Sequence, residues 1–236
     1  MVSSETPKNE QPMVVLQIGK WTLTGFAAGA VLILLLGTLV ALVVLTRPFF
    51  QWSPLWTSAA LWIAFTIYWG AAAKYAATDL RSESAFSRKL HQTLLYGALL
   101  LLFLRLPMLT ARWLPDAPWL VTLGLVIQAG FGFFAVWARR QLGQQWSGAI
   151  TEKVGHKLVR TGPYRFIRHP IYTAMLGMFL GTALVSGELH AMVAFAIVSI
   201  AYQRKIRLEE QHLRKVFGIA YDEYQARSWA LLPGIY

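Results

Sequence analysis

The sequence predicts an all-α, polytopic transmembrane helical bundle: four spans, then a C-terminal helical hairpin with a polar pocket on the cytoplasmic side. Three observations predict it. The 236 residues are 56% hydrophobic and 14% charged, where a soluble domain carries about 25% charged residues. The apolar residues are gathered into long runs. The 22 Lys and Arg residues, against 11 Asp and Glu, fall almost entirely on one side of the bundle those runs would form.

A spanning helix needs roughly 20 apolar residues. Trp21–Leu45 meets this and stops at Arg47-Pro48. Leu55–Ala73 lies between Pro54 and Lys74. Thr93–Leu109 carries one charge, Arg105. Trp119–Ala138 follows Pro118 and ends at Arg139-Arg140. The stretch Ile171–Tyr202 is too long for one span, about 48 Å at 1.5 Å per residue, and too short for two full ones. Ser186-Gly187-Glu188 interrupts it, so it reads as a hairpin of two short helices. The polar residues 1–20 read as a tail or surface helix, residues 21–138 as a scaffold and 139–236 as the working part. The run after Lys20 reads as a retained anchor, being longer than a signal-peptide core and lacking a small-residue cleavage site.

With the N-terminus in the cytoplasm, Lys74, Arg81, Arg88 and Lys89 fall inside. So do Arg139, Arg140, Lys153, Lys157, Arg160, Arg165 and Arg168, and Arg204, Lys205, Arg207, Arg214, Lys215 and Arg227 in the tail. Only Arg47, Arg105 and Arg112 fall outside, which satisfies the positive-inside rule. The basic excess therefore reports topology and contact with anionic membrane lipids, not nucleic acid. The polar segments 139–170 and 203–236 share the cytoplasmic face. The absence of cysteine excludes disulfides, thiolate nucleophiles, Cys-held zinc, iron–sulfur clusters and thioether or thioester lipid anchors. His156 and His169 have no third ligand at a convincing spacing, so no metal site is expected.

The densest polar stretch, Gly155 to Tyr172, contains a turn signal at Gly162-Pro163. Pro170 biases His169 away from helix and suits the first turn of the helix that follows. Arg168 and His169 are thus held in a loop just before a membrane helix. The free N–H groups of its first turn favour an anionic group such as a carboxylate. A second cluster, Arg204-Lys205-Ile206-Arg207-Leu208-Glu209-Glu210, follows the hairpin. Beyond it Leu213, Phe217 and Tyr221 recur at a spacing of four, as do Val216, Ala220 and Tyr224, giving an apolar and aromatic face.

Residues 156–172 satisfy His-x-Leu-Val-x-x-Gly-Pro-Tyr-x-x-x-Arg-His-Pro-x-Tyr. After the apolar hairpin, 209–224 satisfy Glu-Glu-x-x-Leu-x-x-x-Phe-Gly-x-x-Tyr-x-x-Tyr. Together these resemble the C-terminal half of the isoprenylcysteine carboxyl methyltransferase family and its phospholipid-methyltransferase relatives, over about 80 residues. Gln144-Gln145-Trp146-Ser147 resembles bacterial members. The resemblance implies an S-adenosylmethionine pocket, with His156, Lys157, Leu158, Val159 and Tyr164 on one side. His169, Pro170, Ile171 and Tyr172 would form a second wall, and Glu209 would bond the cofactor from the far side of the hairpin. Arg168 and Lys205 would assist the chemistry, and Lys205 with Arg204 would hold the substrate. The family has an arginine where this chain has Lys205; lysine keeps the charge but loses the planar fork. The implied reaction moves an activated methyl group to a lipophilic or lipidated acceptor, where alignment is the main task and a carboxylate acceptor needs no general base.

Two other readings compete. A sterol-reductase-type enzyme using NADPH has a similar Arg-His-Pro-x-Tyr ending on a typically longer chain. A non-catalytic lipid- or protein-binding membrane protein could keep the fold. Blander expectations cover the remaining features. Tyr221 and Tyr224 read as interfacial packing, and Gly25-x-x-x-Gly29 and Gly177-x-x-x-Gly181 as close helix contacts. Arg105 reads as snorkelling to the outer surface, and His91, His190 and His212 carry no role of their own.

Overall fold

The computed structural model describes residues 14–18, 21–24, 53–73, 79–147, 150–153 and 157–234. The chain divides into two compact units, Met1–Trp52 and Ser53–Tyr236.

In the first unit, β1 (Val14–Ile18) and β2 (Trp21–Thr24) pair antiparallel. This corrects the expected polar tail and the start of the first span. Val14, Val15, Ile18, Trp21, Thr22 and Thr24 are β-formers. The rest of that span, with Gly25, Gly29 and Arg47, lies outside the described residues.

The second unit is helical, apart from one short ribbon. Its elements are α1 (Pro54–Ala73), β3 (Asp79–Ser82), α2 (Ala85–Phe103), α3 (Pro118–Leu142), β4 (Thr151–Lys153), α4 (Pro170–Ser186), α5 (Leu189–Phe217) and α6 (Ile219–Ala226). β3 and β4 pair antiparallel. Prolines open α1, α3 and α4, where a missing N–H costs nothing. The Ser84 side chain caps α2 by accepting from the Ser87 N–H at 3.2 Å. Gly143, Gly187 and Gly218, all at positive φ, end α3, α4 and α5.

Among the described residues, two helical stretches are long and apolar enough to cross a membrane, Pro54–Ala73 and Pro118–Gln145. The third predicted span is corrected: α2 starts at Ala85, where Ser84 caps it, and stops at Phe103, four residues before Pro107. The hairpin break falls at Ser186–Glu188, as the sequence indicates. Its second arm does not end at Tyr202, because α5 continues through the charged cluster to Gly218.

Arg105 is largely exposed and has a partner that the sequence reading did not name. Its guanidinium grips the buried Glu188 carboxylate, with Nε 3.1 Å from Oε2. Glu188 sits in the α4–α5 turn, and a carboxylate buried there requires a cation. The Trp113 and Leu189 N–H groups bond the carbonyls of Gly187 and Ala111 at 3.0 and 2.9 Å, stitching the segment after α2 to the same turn.

Within the bundle, α3 packs along α4 through Gly124 and Gly181. A buried polar network spans α1, α3 and α4. The Ser58 hydroxyl donates to Gln128 Oε1 at 2.7 Å, the Gln128 amide to the Ser58 carbonyl at 2.9 Å, and the Trp62 indole to Thr182 Oγ1 at 3.0 Å. Thr182→Val keeps the shape and strands the indole N–H, so it should cost about 1–3 kcal/mol. Thermal unfolding in detergent, followed by tryptophan fluorescence, reads this directly; an unchanged midpoint would show that the network is not stabilising.

Candidate active site

A cavity of about 130 Å³ opens where the ends of α3 and α5 meet the start of α4. Of the residues singled out in the sequence, Lys157, Leu158, Val159, Tyr164, Arg168, His169, Ile171, Tyr172 and Glu209 all line it. Pro170 stands just behind, buried in the first turn of α4. His156 lies outside the described residues.

The loop before α4 is rigidly held. The N–H groups of Arg168 and His169 donate to the carbonyls of Trp229 and Ala230 at 2.8 and 3.0 Å. Those bonds clamp the C-terminal strap onto the helix start, and Thr173 adds a bond to the Leu231 carbonyl at 2.8 Å. His169 therefore faces α5 in a fixed pose. Its Nε2 is 3.2 Å from Glu210 Oε1 and its Nδ1 is 3.7 Å from Glu209 Oε2. The ring stacks on Tyr172 at 5.4 Å, and Tyr172 stacks on Tyr202 at 4.8 Å. The Tyr172 hydroxyl donates to Glu209 at 2.7 Å.

Arg168 turns its guanidinium mainly toward protein acceptors. Nε bonds Glu210 Oε1 at 2.7 Å, and Nη1 donates to the Gln225 and Ser228 carbonyls. Its observed contacts are those of a strut between α4, α5 and α6. Burial alone would raise the Glu210 pKa, but the hydrogen bonds and charges of His169 and Arg168 hold it down to about 2. Glu210 had no role of its own in the sequence reading, yet it is the carboxylate on which both motif residues converge.

Lys205 and Arg204 do not line the cavity. Lys205 is buried against α2, with its ammonium on the Glu83 carboxylate. Burial pulls the Glu83 pKa upward, and Lys205 outweighs it, leaving it below the usual value. An acceptor carboxylate would find this lysine already neutralised.

The far wall comes from residues that the motifs named without a role, or not at all. Trp146 packs edge-on to Trp69 at 5.6 Å and lies under the Arg139 guanidinium at 4.1 Å. Gln145 Oε1 accepts the Lys157 N–H at 3.2 Å. Tyr224 is buried and donates to the Tyr164 carbonyl at 2.6 Å. Tyr221 is fully enclosed. These two tyrosines pack inside the protein, which corrects the interfacial reading. Burial pushes Tyr224 up to about 12 and Tyr164 well above its ordinary value, so both stay neutral. Tyr221 and His212 line the cavity, and the buried Tyr221 hydroxyl and His212 Nε2 have no partner among the described residues. A buried polar atom left unpaired costs about 1–3 kcal/mol. A ligand with several hydroxyl or amine groups, such as a nucleoside, fits this arrangement of polar atoms and aromatic faces.

Known proteins resemble this region. Residues 119–220 match the phospholipid methyltransferase family. A probable protein-S-isoprenylcysteine O-methyltransferase of Oryza sativa subsp. indica is 37% identical over 81 residues, 34% of this chain and 42% of its own. A cobalt-zinc-cadmium resistance protein of Cupriavidus metallidurans is 29% identical over 125 residues, 52% of this chain and 54% of its own. The chain thus spans about half or less of the length of these relatives. The solved structure of a eukaryotic intramembrane Ras methyltransferase, an isoprenylcysteine carboxyl methyltransferase, shares the fold. Its TM-score is 0.51 at 19% identity, over 89% of this chain and 75% of its own. The expected resemblance thus returns over most of the segment that builds the cavity.

Proposed function

We propose that this protein is an integral-membrane, S-adenosylmethionine-dependent methyltransferase acting on a lipophilic acceptor, of which an isoprenylcysteine carboxylate is one candidate. The observation that carries this reading is the meeting of the two sequence motifs in one cavity, with Tyr221 and His212 also on its wall. The named activities of the Oryza relative and the Ras methyltransferase support it.

When bound, S-adenosylmethionine supplies a methyl group already activated as a sulfonium. What is left to this chain is binding and alignment. Glu209 would accept hydrogen bonds from the cofactor while Tyr172 fixes its carboxylate. Tyr221 and His212 would pair with the nucleoside, and the faces of Tyr164 and Tyr172 would tolerate positive charge. The N-terminus and cavity would face the cytoplasm by the positive-inside argument, and the acceptor would enter from the bilayer.

The test is a titration of detergent-purified protein with S-adenosylhomocysteine and with NADPH. Binding of the first alone supports the proposal; binding of NADPH alone would favour the reductase reading, and binding of neither a non-catalytic one. His169→Ala and Glu209→Ala should each weaken S-adenosylhomocysteine by about tenfold or more, one charge-assisted hydrogen bond each. Unchanged affinity in both would refute the site assignment.

A further inference from the structure

Among the described residues, the buried Lys and Arg side chains are Lys205 and Arg139. Lys205 has the Glu83 carboxylate. Arg139 has backbone carbonyls instead. It stands in the last turn of α3 beside Arg140, which is exposed and suits the topology role expected of both. Arg139 turns inward, and that role does not explain its contacts.

Its guanidinium joins three segments. Nη1 donates to the Gly143 carbonyl at 2.9 Å, just past the end of α3, and Nη2 to the Ala72 carbonyl at 2.9 Å, in the last turn of α1. Helix C-termini leave carbonyls without intrahelical partners and carry partial negative charge, so a cation is well placed between two of them. The face of the guanidinium lies over the Trp146 ring, 4.1 Å from its centre. Trp146 is buried and lines the cavity.

Each contact bears on one wall of that cavity. The Gly143 carbonyl also accepts the Trp146 N–H at 3.4 Å, so Arg139 holds both the turn that delivers this indole and the indole's face. The ring meets Trp69 of α1 edge-on at 5.6 Å, and the bond to Ala72 ties α1 to the same turn. Trp146 packs in one buried cluster with Tyr164 and Ile171, against Val159 and Tyr172, and all of these line the cavity. Its neighbour Gln145 accepts the Lys157 N–H at 3.2 Å, which extends the wall to Lys157 and Leu158. Arg139 itself stands behind this wall, outside the cavity lining.

A buried cation without a carboxylate is costly to keep, and an apolar side chain would serve packing alone. A planar, permanently charged fork can bond two carbonyls while stacking on an indole; lysine and methionine cannot. We propose that Arg139 is a positioning residue for the methyl donor. It fixes the Gly143–Trp146 turn and the Trp146 ring in the pose against which the donor packs, without touching the donor. The identity of the ligand rests on the methyltransferase reading; the fixing of Trp146 does not.

Titration of the detergent-purified full chain with S-adenosylhomocysteine, with near-ultraviolet circular dichroism of the same samples, tests it. The difference between the spectra of the unmodified protein and Trp146→Leu isolates the signal of that indole. Arg139→Met keeps the stem and loses the fork. It should remove about half or more of that signal and weaken S-adenosylhomocysteine about tenfold, the loss expected when an anchoring interaction goes. Arg139→Lys keeps the charge and one donor, so it should recover part of both readouts, and it carries the test if the methionine variant does not fold. Arg140→Met should change neither. Because Arg139 acts through Trp146, Arg139→Met added to Trp146→Leu should weaken binding by less than about threefold more. A lowered unfolding midpoint with the indole signal and the affinity of the folded protein intact would overturn the proposal, as would losses that multiply in full in the double variant. Absence of S-adenosylhomocysteine binding in the unmodified protein would sink the methyltransferase reading, and with it the donor as ligand. The indole signal would then still decide whether Arg139 fixes Trp146, and an unchanged signal in the Arg139 variants would overturn that as well.

Discussion

Alanine at Gly181 is expected to destabilise the bundle by about 3 kcal/mol or more, and leucine there to prevent its assembly. The reason is the closeness of two backbones. A Cβ at Gly181 would stand 2.6 Å from the Gly124 carbonyl oxygen and 2.7 Å from the Gln128 nitrogen. Both are main-chain atoms of α3 and cannot swing aside as a side chain would. Relief requires α3 and α4 to separate, and that motion carries Gln128 away from Ser58 and opens the buried network between α1, α3 and α4. Gly124 is the reciprocal case, with its Cβ 2.6 Å from the Gly181 carbonyl. Gly130, on the same α3, is the control, since a Cβ there meets nothing within 4 Å. Gly130→Ala should be neutral or stabilise by up to about 1 kcal/mol through helix propensity. Thermal unfolding of the two alanine variants in detergent should therefore shift in opposite directions. A shared sign would show that close approach is not what selects glycine at Gly181.

The features legible in the sequence were those written in single residues. Pro54, Pro118 and Pro170 mark helix starts because the ring restricts the backbone locally, and Gly187 marks the hairpin break because the turn needs positive φ. Boundaries drawn from hydropathy fared worse. α2 begins in the polar run at Ala85 because its start depends on the Ser84 cap, not on apolarity. α5 crosses the Tyr202–Arg204 change in polarity because charge does not end a helix; Gly218 does. In the same way, the motifs named most of the cavity wall but not the pairings behind it. Glu209 and Glu210 are adjacent and chemically alike, and only the packing of α5 on α4 decides which meets Tyr172 and which meets Arg168. The partners of Lys205 and Arg105 are Glu83 and Glu188. Pairs so distant in the chain leave no local pattern.

Glu210→Ala is expected to be the most damaging side-chain truncation at the site. It would leave Arg168, largely buried, without its carboxylate, and breaking a buried pair from one side costs about 3–5 kcal/mol. Glu210→Gln keeps the shape and one acceptor, so it isolates the charge. The sign of its pH dependence follows from the lowered pKa, about 2 in the folded chain against an ordinary 4.5. A carboxylate held below its unfolded value contributes stability that is complete above pH 4.5 and is lost as pH falls from there towards 2. The unmodified protein should therefore lose stability steeply through that window. Glu210→Gln should start lower at neutral pH and fall less steeply, with the remaining slope carried in part by Glu83, whose pKa is also lowered. Asp222→Asn removes the partner of Arg214 from an exposed pair and should change stability by no more than about 1 kcal/mol. Because Glu210 also fixes His169 through Nε2, its glutamine variant should weaken S-adenosylhomocysteine binding at a pH where the fold is intact. Full affinity there, alongside the loss of stability, would separate the two roles and leave Glu210 as a strut between Arg168 and α5.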